Sequence, residues 1–411
     1  MEAPDGETTD HRSTEELVAS GDRRISTNYS PASVVFDHGE GVYLYDRDGN
    51  AYLDFLAGIA VNCLGYDHPA LVDAIREQAA RCTHVSNAFY TAEQVELLEA
   101  LTARTFADRV FFCNSGAEAN EAALKLARRY QSEVAGEPDR KTIVSMEGSF
   151  HGRTMGAITA TGQSKYHAGF EPMLPGVEYM PFGKLEAIDR HVGDQTAAVF
   201  VEPIQGEGGV RPADRTFLEG LRKRCDETGA LLVFDEVQTG VGRTGELFAY
   251  QDFGVEPDIM CLAKGLGGGT PLGATLASDE IFKGWKPGSH ASTFGGNPLV
   301  CRAAKTVLEV IDEQNLCENA RQRGQQLRDG LRELQAEFDV IDDVRGRGLM
   351  VGAECGDPAS DIVDLARDEG LLINTAGGDT LRFVPPLIVT EGDVDEALDR
   401  LERALAEQSG G

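Results

Sequence analysis

Short runs of apolar residues, each ending in a polar or charged residue, recur through the middle of the chain. Two of them stand out: residues 230–239, whose apolar part ends at Asp235, and residues 258–265, whose apolar part ends at Lys264. Runs of about four to eight apolar residues are typical of strands buried on both faces, as in a parallel sheet. Ligands of such sheets bind beyond the carboxyl ends of the strands. The pattern therefore predicts a site near Asp235 and Lys264.

The same pattern predicts the other elements of the chain. Alternating apolar residues around Asp48 and Gly49 predict a hairpin over residues 41–55. Further predicted strands are residues 109–114, 141–146 and 197–201, with more strand near 339–354; residues 371–374 and 381–387 are two further segments of the C-terminal part. Predicted helices are residues 69–81, 115–132, 214–228, about 298–337, 359–369 and 391–407.

Changes of composition and pattern along the chain suggest its division into parts. Residues 1–22 are polar and acidic, which predicts a loose tail. Alternating strand and helix patterns up to about residue 300 predict a large α/β domain. The pattern changes beyond that point, so we expect residues 301–411 to form a second, smaller domain.

Composition narrows the possible partners and the location of the chain. The 411 residues are 41% hydrophobic and carry a formal net charge of −30, which disfavours nucleic acid and anionic membranes as partners. The acidic N-terminus lacks the basic and apolar regions of a secretory signal, and the apolar runs are too short to span a membrane. The eight scattered cysteines include no C-x-x-C pair, which favours reduced thiols in a cytoplasmic protein. The charge also suggests a salt-adapted source.

A carboxylate and an amine at neighbouring strand ends suit pyridoxal phosphate. A lysine forms the Schiff base with this cofactor, and an aspartate pairs with its protonated pyridine nitrogen. The alternative for Asp235 and Lys264 is a buried ion pair at the sheet edge. Ser115, Gly116 and Ala117 lie between a strand and a helix, where backbone amides can bind a phosphate. A plain helix cap is the alternative there.

Several other residues follow predicted strands and carry candidate chemistry. Phe150 could stack on an aromatic ring and Arg153 could clamp a carboxylate; core packing and a surface ion pair are the alternatives. His151, beside a glycine, could be no more than a loop hydrogen-bonding residue. Glu207 lies in a glycine-rich loop, and Ser292 and Thr293 could donate to a phosphate or simply form a turn.

Residues 240–245 contain a G-x-G-x-x-G pattern at Gly240, Gly242 and Gly245. This pattern binds dinucleotides when it opens a βαβ unit with an acidic residue downstream. Here it follows Thr239 without a convincing βαβ unit, so the sequence argues against a dinucleotide site.

Together these residues resemble class III aminotransferases, which have the fold of type I pyridoxal-phosphate enzymes. The resemblance runs from about residue 28 to the C-terminus. Five segments carry it in order: Ser-Gly-Ala-Glu-Ala at 115–119, Phe-His-Gly-Arg at 150–153, Asp-Glu-Val-Gln at 235–238, Ala-Lys-Gly-Leu-Gly-Gly-Gly at 263–269 and Ser-Thr-Phe-Gly-Gly-Asn-Pro at 292–298.

The resemblance implies an α/β fold. A large domain over residues 69–300 has a mainly parallel seven-stranded sheet, and residues 23–68 join the smaller α+β domain. It implies pyridoxal 5'-phosphate held by Ser115, Gly116, Ala117, Phe150, Asp235, Val237, Gln238 and Lys264. It also implies a homodimer in which Thr293 reaches the phosphate of the other subunit, and no metal.

The same resemblance implies roles in catalysis and substrate binding. Lys264 and Asp235 are the catalytic residues, with Lys264 as the general base. Arg153 binds the distal carboxylate of the substrate, and Arg382 binds the α-carboxylate of glutamate. Glu207 neutralises Arg382 when an ω-amine occupies the site. Ser292 lies beside the substrate.

Other segments are most similar to acetylornithine aminotransferases, namely residues 58–62, 161–166, 169–172 and 201–209. We therefore expect transfer of the terminal amino group of N-acetylornithine to 2-oxoglutarate. Ornithine aminotransferases usually have tyrosine where this chain has Ile59, but Tyr29 matches one of their substrate-contacting residues. Ornithine, 4-aminobutyrate, succinylornithine and carrier-linked substrates stay open, as does a glutamate-1-semialdehyde-type aminomutase. The intact Lys264, Asp235 and Gln238 argue against a non-catalytic module.

Overall fold

The structure is a computed structural model, and it describes residues 12–410. Its strands are β1 Phe36–Glu40, β2 Tyr43–Asp46, β3 Ala51–Asp54, β4 Arg109–Cys113, β5 Thr142–Met146, β6 Val177–Met180, β7 Thr196–Val201, β8 Ile204–Gln205, β9 Arg211–Pro212, β10 Leu231–Asp235, β11 Ile259–Leu262, β12 Gly273–Ala277, β13 Asp343–Arg347, β14 Met350–Glu354, β15 Leu371–Leu372, β16 Asn374–Ala376 and β17 Thr380–Phe383. Its helices are α1 Thr14–Asp22, α2 Ala57–Ala60, α3 Pro69–Arg81, α4 Ala92–Thr102, α5 Gly116–Glu133, α6 Met155–Ala160, α7 Ile188–His191, α8 Arg215–Thr228, α9 Ala249–Phe253, α10 Asp279–Phe282, α11 Pro298–Glu313, α12 Leu316–Glu337, α13 Ala359–Asp368 and α14 Glu391–Gly410.

The largest sheet has seven strands in the order β4-β12-β11-β10-β7-β5-β6. β12 runs antiparallel to both of its neighbours, and the other strands run parallel to one another. Every residue of β7, β10 and β11 is buried, because helices such as α5 and α8 cover the sheet. Continuous apolar runs without alternation are the sequence signature of such strands. The predicted mainly parallel seven-stranded sheet is confirmed.

Two four-stranded sheets are built from the two ends of the chain. β1, β2 and β3 form an antiparallel meander, and β15 joins it by pairing parallel to β3. β13, β14, β17 and β16 form the second sheet, which is antiparallel throughout. Helices α12, α13 and α14 pack beside these sheets, whereas α11 packs against α3 and α4. The exact domain boundaries stay a prediction.

Most of the elements predicted from the pattern are present, including the hairpin of β2 and β3 and the helix over residues 69–81. β6 and β12 were not predicted. The sequence of β12, Gly-Ala-Thr-Leu-Ala, has little of the β-branched and aromatic content that marks a strand. The segment over residues 371–374, for which no element was predicted, is divided between β15 and β16.

The prediction of a loose tail over residues 1–22 is wrong for its second half. Residues 14–22 form α1, which begins with a capping box between Ser13 and Glu16. Such a box satisfies two backbone amides that a helix start leaves without partners, so it stabilises even this exposed helix. Thr14 Oγ1 also donates to Asp48 Oδ2 at 2.9 Å. The rest of the predicted tail, residues 1–11, lies outside the described residues.

Two expectations from composition can be compared with the described part of the chain. None of its helices combines the length and apolar character needed to cross a membrane. All eight cysteines are unpaired, and burial raises the pKa of Cys113 and Cys225 to about 12. The thiols of Cys113 and Cys225 are therefore protonated at neutral pH and have little nucleophilic character.

Candidate active site

Asp235 and Lys264 lie where the strand pattern predicts them. Asp235 is the last residue of β10, which runs parallel to β11 with Asp235 opposite Cys261. Lys264 follows β11 by two residues, so both side chains leave the same edge of the sheet. They line one cavity of about 460 Å³ beyond the carboxyl ends of these strands.

The same cavity brings together most of the residues predicted from the sequence. Ten of them line it: Ser115, Gly116, Ala117, Phe150, Arg153, Glu207, Asp235, Val237, Gln238 and Lys264. Val61, Asn114, Asn120, His151, Glu202 and Thr270 are among the other lining residues. Segments far apart in the sequence thus meet at one edge of the large sheet.

The carboxylate of Asp235 is held by three donors. Asn120 Nδ2 and His151 Nδ1 lie 2.7 Å from Oδ2, and the backbone N–H of Val237 donates to Oδ1 at 3.0 Å. Asp235 therefore pairs with His151, and the alternative of an ion pair with Lys264 is wrong. His151 is fully buried and is more than a loop hydrogen-bonding residue. Burial lowers the pKa of His151, but the hydrogen bond and charge of Asp235 outweigh burial and raise it.

Glu202 is a buried carboxyl that was not singled out from the sequence. It accepts from the backbone N–H of Phe150 at 3.0 Å and from that of Gly206 at 3.2 Å. Burial raises the pKa of Glu202 to about 7; His151 opposes this shift and Asp235 adds to it. Glu202 directly follows the apolar strand β7, so the rule that found Asp235 could have found it too. Asn120, in the second turn of α5, follows no apolar strand, so this rule does not apply to it.

The start of α5 faces the cavity with small residues. Ser115 caps the helix by accepting from the backbone N–H of Glu118 at 3.2 Å, so the predicted cap is present. The amides of Gly116 and Ala117 belong to the first turn, where backbone N–H groups have no partner within the helix. A side chain on Gly116 would come within 2.7 Å of Val237 Cγ1, so only glycine fits there. Capping and anion binding are therefore compatible.

Phe150 and Arg153 lie together at the cavity. Phe150 is half-buried and packs edge to face against Tyr166, with ring centroids 5.6 Å apart. The Arg153 guanidinium carbon lies 4.3 Å from the centroid of Tyr166 and 5.4 Å from that of Phe150. Within residues 12–410 no carboxylate pairs with Arg153. The surface-ion-pair alternative is thus wrong, and the guanidinium is available to an anion.

Arg382, on β17, is completely buried next to the cavity. Its Nη1 donates to Glu207 Oε1 at 2.5 Å and to Gln238 Oε1 at 3.3 Å, and its Nε donates to Asn374 Oδ1 at 3.1 Å. Its Nη2 is buried without a hydrogen-bond partner in the described chain. Buried donors normally have partners. The guanidinium thus has one free donor beside the carboxylate of Glu207.

The amine of Lys264 is set up to lose its proton readily. Burial lowers its pKa to about 8; Glu207 opposes this shift and Arg382 adds to it. An amine with a pKa near neutrality can act both as a nucleophile and as a general base.

This pKa predicts how the apoprotein reacts with an acylating reagent. Only a neutral amine is nucleophilic, so the acetylation rate of Lys264 should rise with pH around a midpoint near 8. Peptide mass spectrometry after short pulses of acetic anhydride measures this rate. Lys305 is the internal control, because pairing with Glu309 raises its pKa. Identical pH profiles for the two lysines would contradict the prediction.

Besides Arg382, three of the sequence-predicted residues do not line the cavity of this chain. Tyr29 lies before β1 with its side chain 64% exposed. Thr293 is exposed beside a small surface pocket near Asn87. Ser292 is one residue removed from the cavity, since its Oγ accepts from the lining residue Asn114 at 3.2 Å. The roles of these three residues stay predictions.

Comparison with known families agrees with this arrangement. The family model described as aminotransferase class-III matches residues 25–405. The chain belongs to the class III aminotransferases. This confirms the family resemblance, and the match includes every site residue considered above.

Similar proteins of this aminotransferase family cover nearly the whole chain. An acetylornithine aminotransferase of Caldanaerobacter subterraneus is 50% identical over 394 residues, covering 95% of this chain and 99% of the relative. A succinylornithine transaminase/acetylornithine aminotransferase of Pseudomonas aeruginosa is 46% identical over 392 residues, covering 94% and 96%. The solved ornithine aminotransferase of Toxoplasma gondii has a TM-score of 0.93 at 34% identity, covering 97% and 96%.

Class III aminotransferases use pyridoxal phosphate, and so does this one. The residues of the cavity fit this cofactor. Lys264 offers an amine for covalent attachment, Asp235 offers a fixed carboxylate for the ring nitrogen, and the start of α5 offers amides for the phosphate. Phe150 and Val237, both half-buried at the cavity, could hold the ring between them.

Proposed function

We propose that this aminotransferase moves the terminal amino group of N-acetylornithine to 2-oxoglutarate, giving the semialdehyde and glutamate as a step in arginine biosynthesis. The observation that carries the proposal is the buried Arg382 with one free donor and a neutralising Glu207 beside it. This arrangement suits an enzyme with two kinds of substrate. Glutamate places an α-carboxylate beside Arg382, whereas N-acetylornithine, bound at its terminal amine, places none there. The relative from Caldanaerobacter supports the choice of amino donor.

Bound pyridoxal phosphate supplies an electron sink for the carbanion formed at the amino-bearing carbon of the substrate. In the proposed mechanism Lys264 Nζ would take the proton from that carbon and deliver it to the C4′ carbon of the cofactor, as amino-group transfer requires. Its low pKa keeps part of the amine neutral near neutral pH. Asp235 keeps the ring nitrogen protonated, and His151 and Asn120 fix the orientation of its carboxylate. Gln238, which lines the cavity, would hydrogen-bond the phenolic oxygen of the ring.

Two arginines divide the recognition of the substrates. We assign the distal carboxylate of both substrates to Arg153, which has no carboxylate partner within the described chain. Arg382 binds the α-carboxylate of glutamate and 2-oxoglutarate in bidentate fashion, which requires Glu207 to move away. With N-acetylornithine bound at its terminal amine, Glu207 stays paired with Arg382. The pairing avoids an uncompensated buried charge.

This exchange predicts that Glu207→Ala shifts the balance between the two half-reactions. Without Glu207, Arg382 stays free for glutamate, so that half-reaction should be retained or gain efficiency. The N-acetylornithine half-reaction should lose about 10-fold or more in efficiency, because a buried charge is left unpaired. Single-turnover absorbance changes of the cofactor measure both. Glu246→Ala, at a surface pair with Arg321, serves as the control. Unchanged rates for both half-reactions would refute the exchange.

A panel of half-reactions tests the proposed substrate. The cofactor-loaded enzyme is mixed separately with N-acetylornithine, N-succinylornithine, ornithine, 4-aminobutyrate and glutamate, and the cofactor spectrum is followed. We expect N-acetylornithine and glutamate to give the highest efficiencies. Faster conversion of ornithine or 4-aminobutyrate than of N-acetylornithine would overturn the assignment.

N-succinylornithine is the second candidate donor. The Pseudomonas relative carries both activities in its name, so the two acyl groups are compatible with one related site. The exposed Arg153 beside Tyr166 could also accept the extra carboxylate of a succinyl group. Comparable efficiencies for both donors in the panel would support a dual enzyme.

We propose that the functional unit is a homodimer in the cytoplasm, with Thr293 of one subunit completing the phosphate site of the other. Exposed aromatic residues around this segment, Phe89, Tyr90 and Phe294, are 60% to 90% exposed in the single chain, which supports burial against a second copy. Light scattering measures the mass in solution. A monomer that is fully active would contradict this arrangement.

The net charge of −30 supports a further proposal of adaptation to salt. Like charges on the surface repel one another, and dissolved ions screen this repulsion. We predict that the midpoint of thermal unfolding rises with the concentration of potassium chloride. A midpoint that is constant or falls with added salt would contradict the proposal.

A further inference from the structure

Residues 240–245, the glycine-rich segment that follows Gln238, have a place in the fold that cofactor binding does not explain. In the middle of the segment lies Arg243, which is only 2% exposed. It is one of the two largest completely buried side chains, together with Arg382. A buried charge is costly unless it is paired, so its contacts require an explanation.

No carboxylate of the described chain pairs with Arg243. Its Nη1 donates to two backbone carbonyls, that of Leu349 at 2.9 Å and that of Pro385 at 2.5 Å. The backbone N–H of Leu349 in turn donates to the carbonyl of Arg243 at 2.9 Å. Nη2 is buried and has no hydrogen-bond partner among residues 12–410. The guanidinium therefore links the backbone at Leu349 to the backbone at Pro385.

One end of this link lies close to the substrate site. Pro385 follows Arg382 by three residues and comes just after the end of β17. Gln238, five residues before Arg243, accepts from Arg382 itself. The segment from Gln238 to Arg243 thus contacts Arg382 at one end and the backbone beyond Arg382 at the other.

The packing of residues 240–245 against the chain at Gly348 and Leu387 also leaves little room for movement. A side chain on Gly348 would lie 2.5 Å from the carbonyl carbon of Thr244, and one on Gly242 would lie 3.0 Å from Leu387 Cδ1. Backbone therefore packs directly on backbone at Gly348, and the Leu387 side chain packs closely against Gly242. A shorter side chain at position 243 could not be compensated by a closer approach of the two segments.

We propose that Arg243 is a positioning residue that fixes the chain carrying Arg382 and thereby sets the affinity of the site for an α-carboxylate. The inference rests on the proposed function, in which Arg382 binds the α-carboxylate of glutamate. Arg153 lies on a different segment, between β5 and α6, and its ring contacts are with Phe150 and Tyr166. Recognition of the distal carboxylate should therefore be independent of Arg243.

The test compares two inert ligands of the holoenzyme. Glutarate carries both carboxylates, whereas pentanoate carries only one, which Arg153 can bind. In Arg243→Lys, which keeps the charge but loses the forked donor geometry, we expect the Kd of glutarate to rise about tenfold. The Kd of pentanoate should stay within about twofold. Titration calorimetry measures both constants.

Matched variants separate the possible outcomes. Arg347→Lys is the control. Arg347 is the last residue of β13, two residues before Leu349, but its side chain pairs at the surface with Asp252. This variant should bind glutarate as the parent does. Arg243→Met should have a larger effect in the same direction, and Arg243→Lys covers the case in which that variant fails to fold. Equal weakening of glutarate and pentanoate, or no weakening of either, would overturn the positioning role.

Arg382→Gln distinguishes failure of this inference from failure of the proposed function. If Arg382→Gln binds glutarate normally, the assignment of the α-carboxylate to Arg382 is wrong. If Arg382→Gln weakens glutarate binding and Arg243→Lys does not, only the positioning role of Arg243 is wrong.

Discussion

Replacing Lys264 with alanine is expected to reduce turnover by about 10³-fold or more, the largest effect of any single substitution in this protein. Lys264 is the lysine that lines the cavity, and burial lowers the pKa of its amine to about 8. No second amine among the lining residues can replace it as the base. Steady-state assays with N-acetylornithine and 2-oxoglutarate measure the loss, and the cofactor content of the purified variant shows whether the site persists.

Lys264→Arg makes the test sharper. An arginine keeps the positive charge and much of the bulk, but it stays protonated and cannot take a proton from the substrate. Its turnover should therefore fall nearly as far as that of the alanine variant. Lys305→Ala is the control, because Lys305 pairs with Glu96 and Glu309 away from the cavity. Near-normal turnover by Lys264→Arg would show that charge matters at this position and that proton transfer does not.

The pattern of apolar runs was sufficient to predict five of the seven strands of the large sheet, β4, β5, β7, β10 and β11, and the two residues at the ends of β10 and β11; the seven-stranded form came from the family resemblance. Asp235 and Lys264 each follow a run that is buried on both faces, and parallel neighbours end at the same edge. The rule works because burial of whole strands leaves few polar positions, so a polar residue at the strand end is conspicuous. Glu202 obeys the same rule and was overlooked for no physical reason.

Other parts of the site could not be predicted from the residues alone. His151 and Asn120 act on Asp235 from positions 84 and 115 residues away in the sequence. The packing of α5 on the sheet brings Asn120 to Asp235, and the loop that follows β5 brings His151 there. Arg382 lies within an apolar run on β17, where periodicity gives no indication of a function. Its role came from the family resemblance. The acidic composition of residues 1–22 predicts a loose tail, whereas the local capping box between Ser13 and Glu16 starts α1.

Asp235→Asn should have the second largest effect, a loss of turnover on the order of 10² to 10³-fold. The substitution keeps the size of the side chain but removes its negative charge. Oδ2 accepts from both Asn120 and His151, whereas Oδ1 accepts from the backbone N–H of Val237. An amide has only one acceptor oxygen. In either orientation of the asparagine, its NH₂ group would therefore face an N–H donor, either that of Val237 or those of Asn120 and His151. The ring nitrogen of the cofactor would also lose its fixed anion.

Two measurements separate the electrostatic effect from a general loss of packing. Asp258→Asn is the matched control, since Asp258 also accepts from a strand amide, that of Leu232, at the opposite ends of β10 and β11. It should lower the unfolding midpoint while leaving turnover within a factor of about three. The pKa of His151 gives the second measurement. Burial alone lowers this pKa and Asp235 raises it, so the NMR titration midpoint of His151 should fall in Asp235→Asn.

An unchanged pKa of His151 together with unchanged turnover would contradict the assigned role of Asp235. A fall in the pKa of His151 without a loss of turnover would show that the His151–Asp235 pair exists but is not needed for catalysis. The expected joint change has one cause: the charge of Asp235 acts on the buried imidazole on one side and on the cofactor ring on the other. Because this charge lies in a site largely closed to water, its removal cannot be compensated by solvent. The carboxylate at the end of β10 is therefore expected to matter far more than the carboxylate of Asp258 at the start of the neighbouring strand.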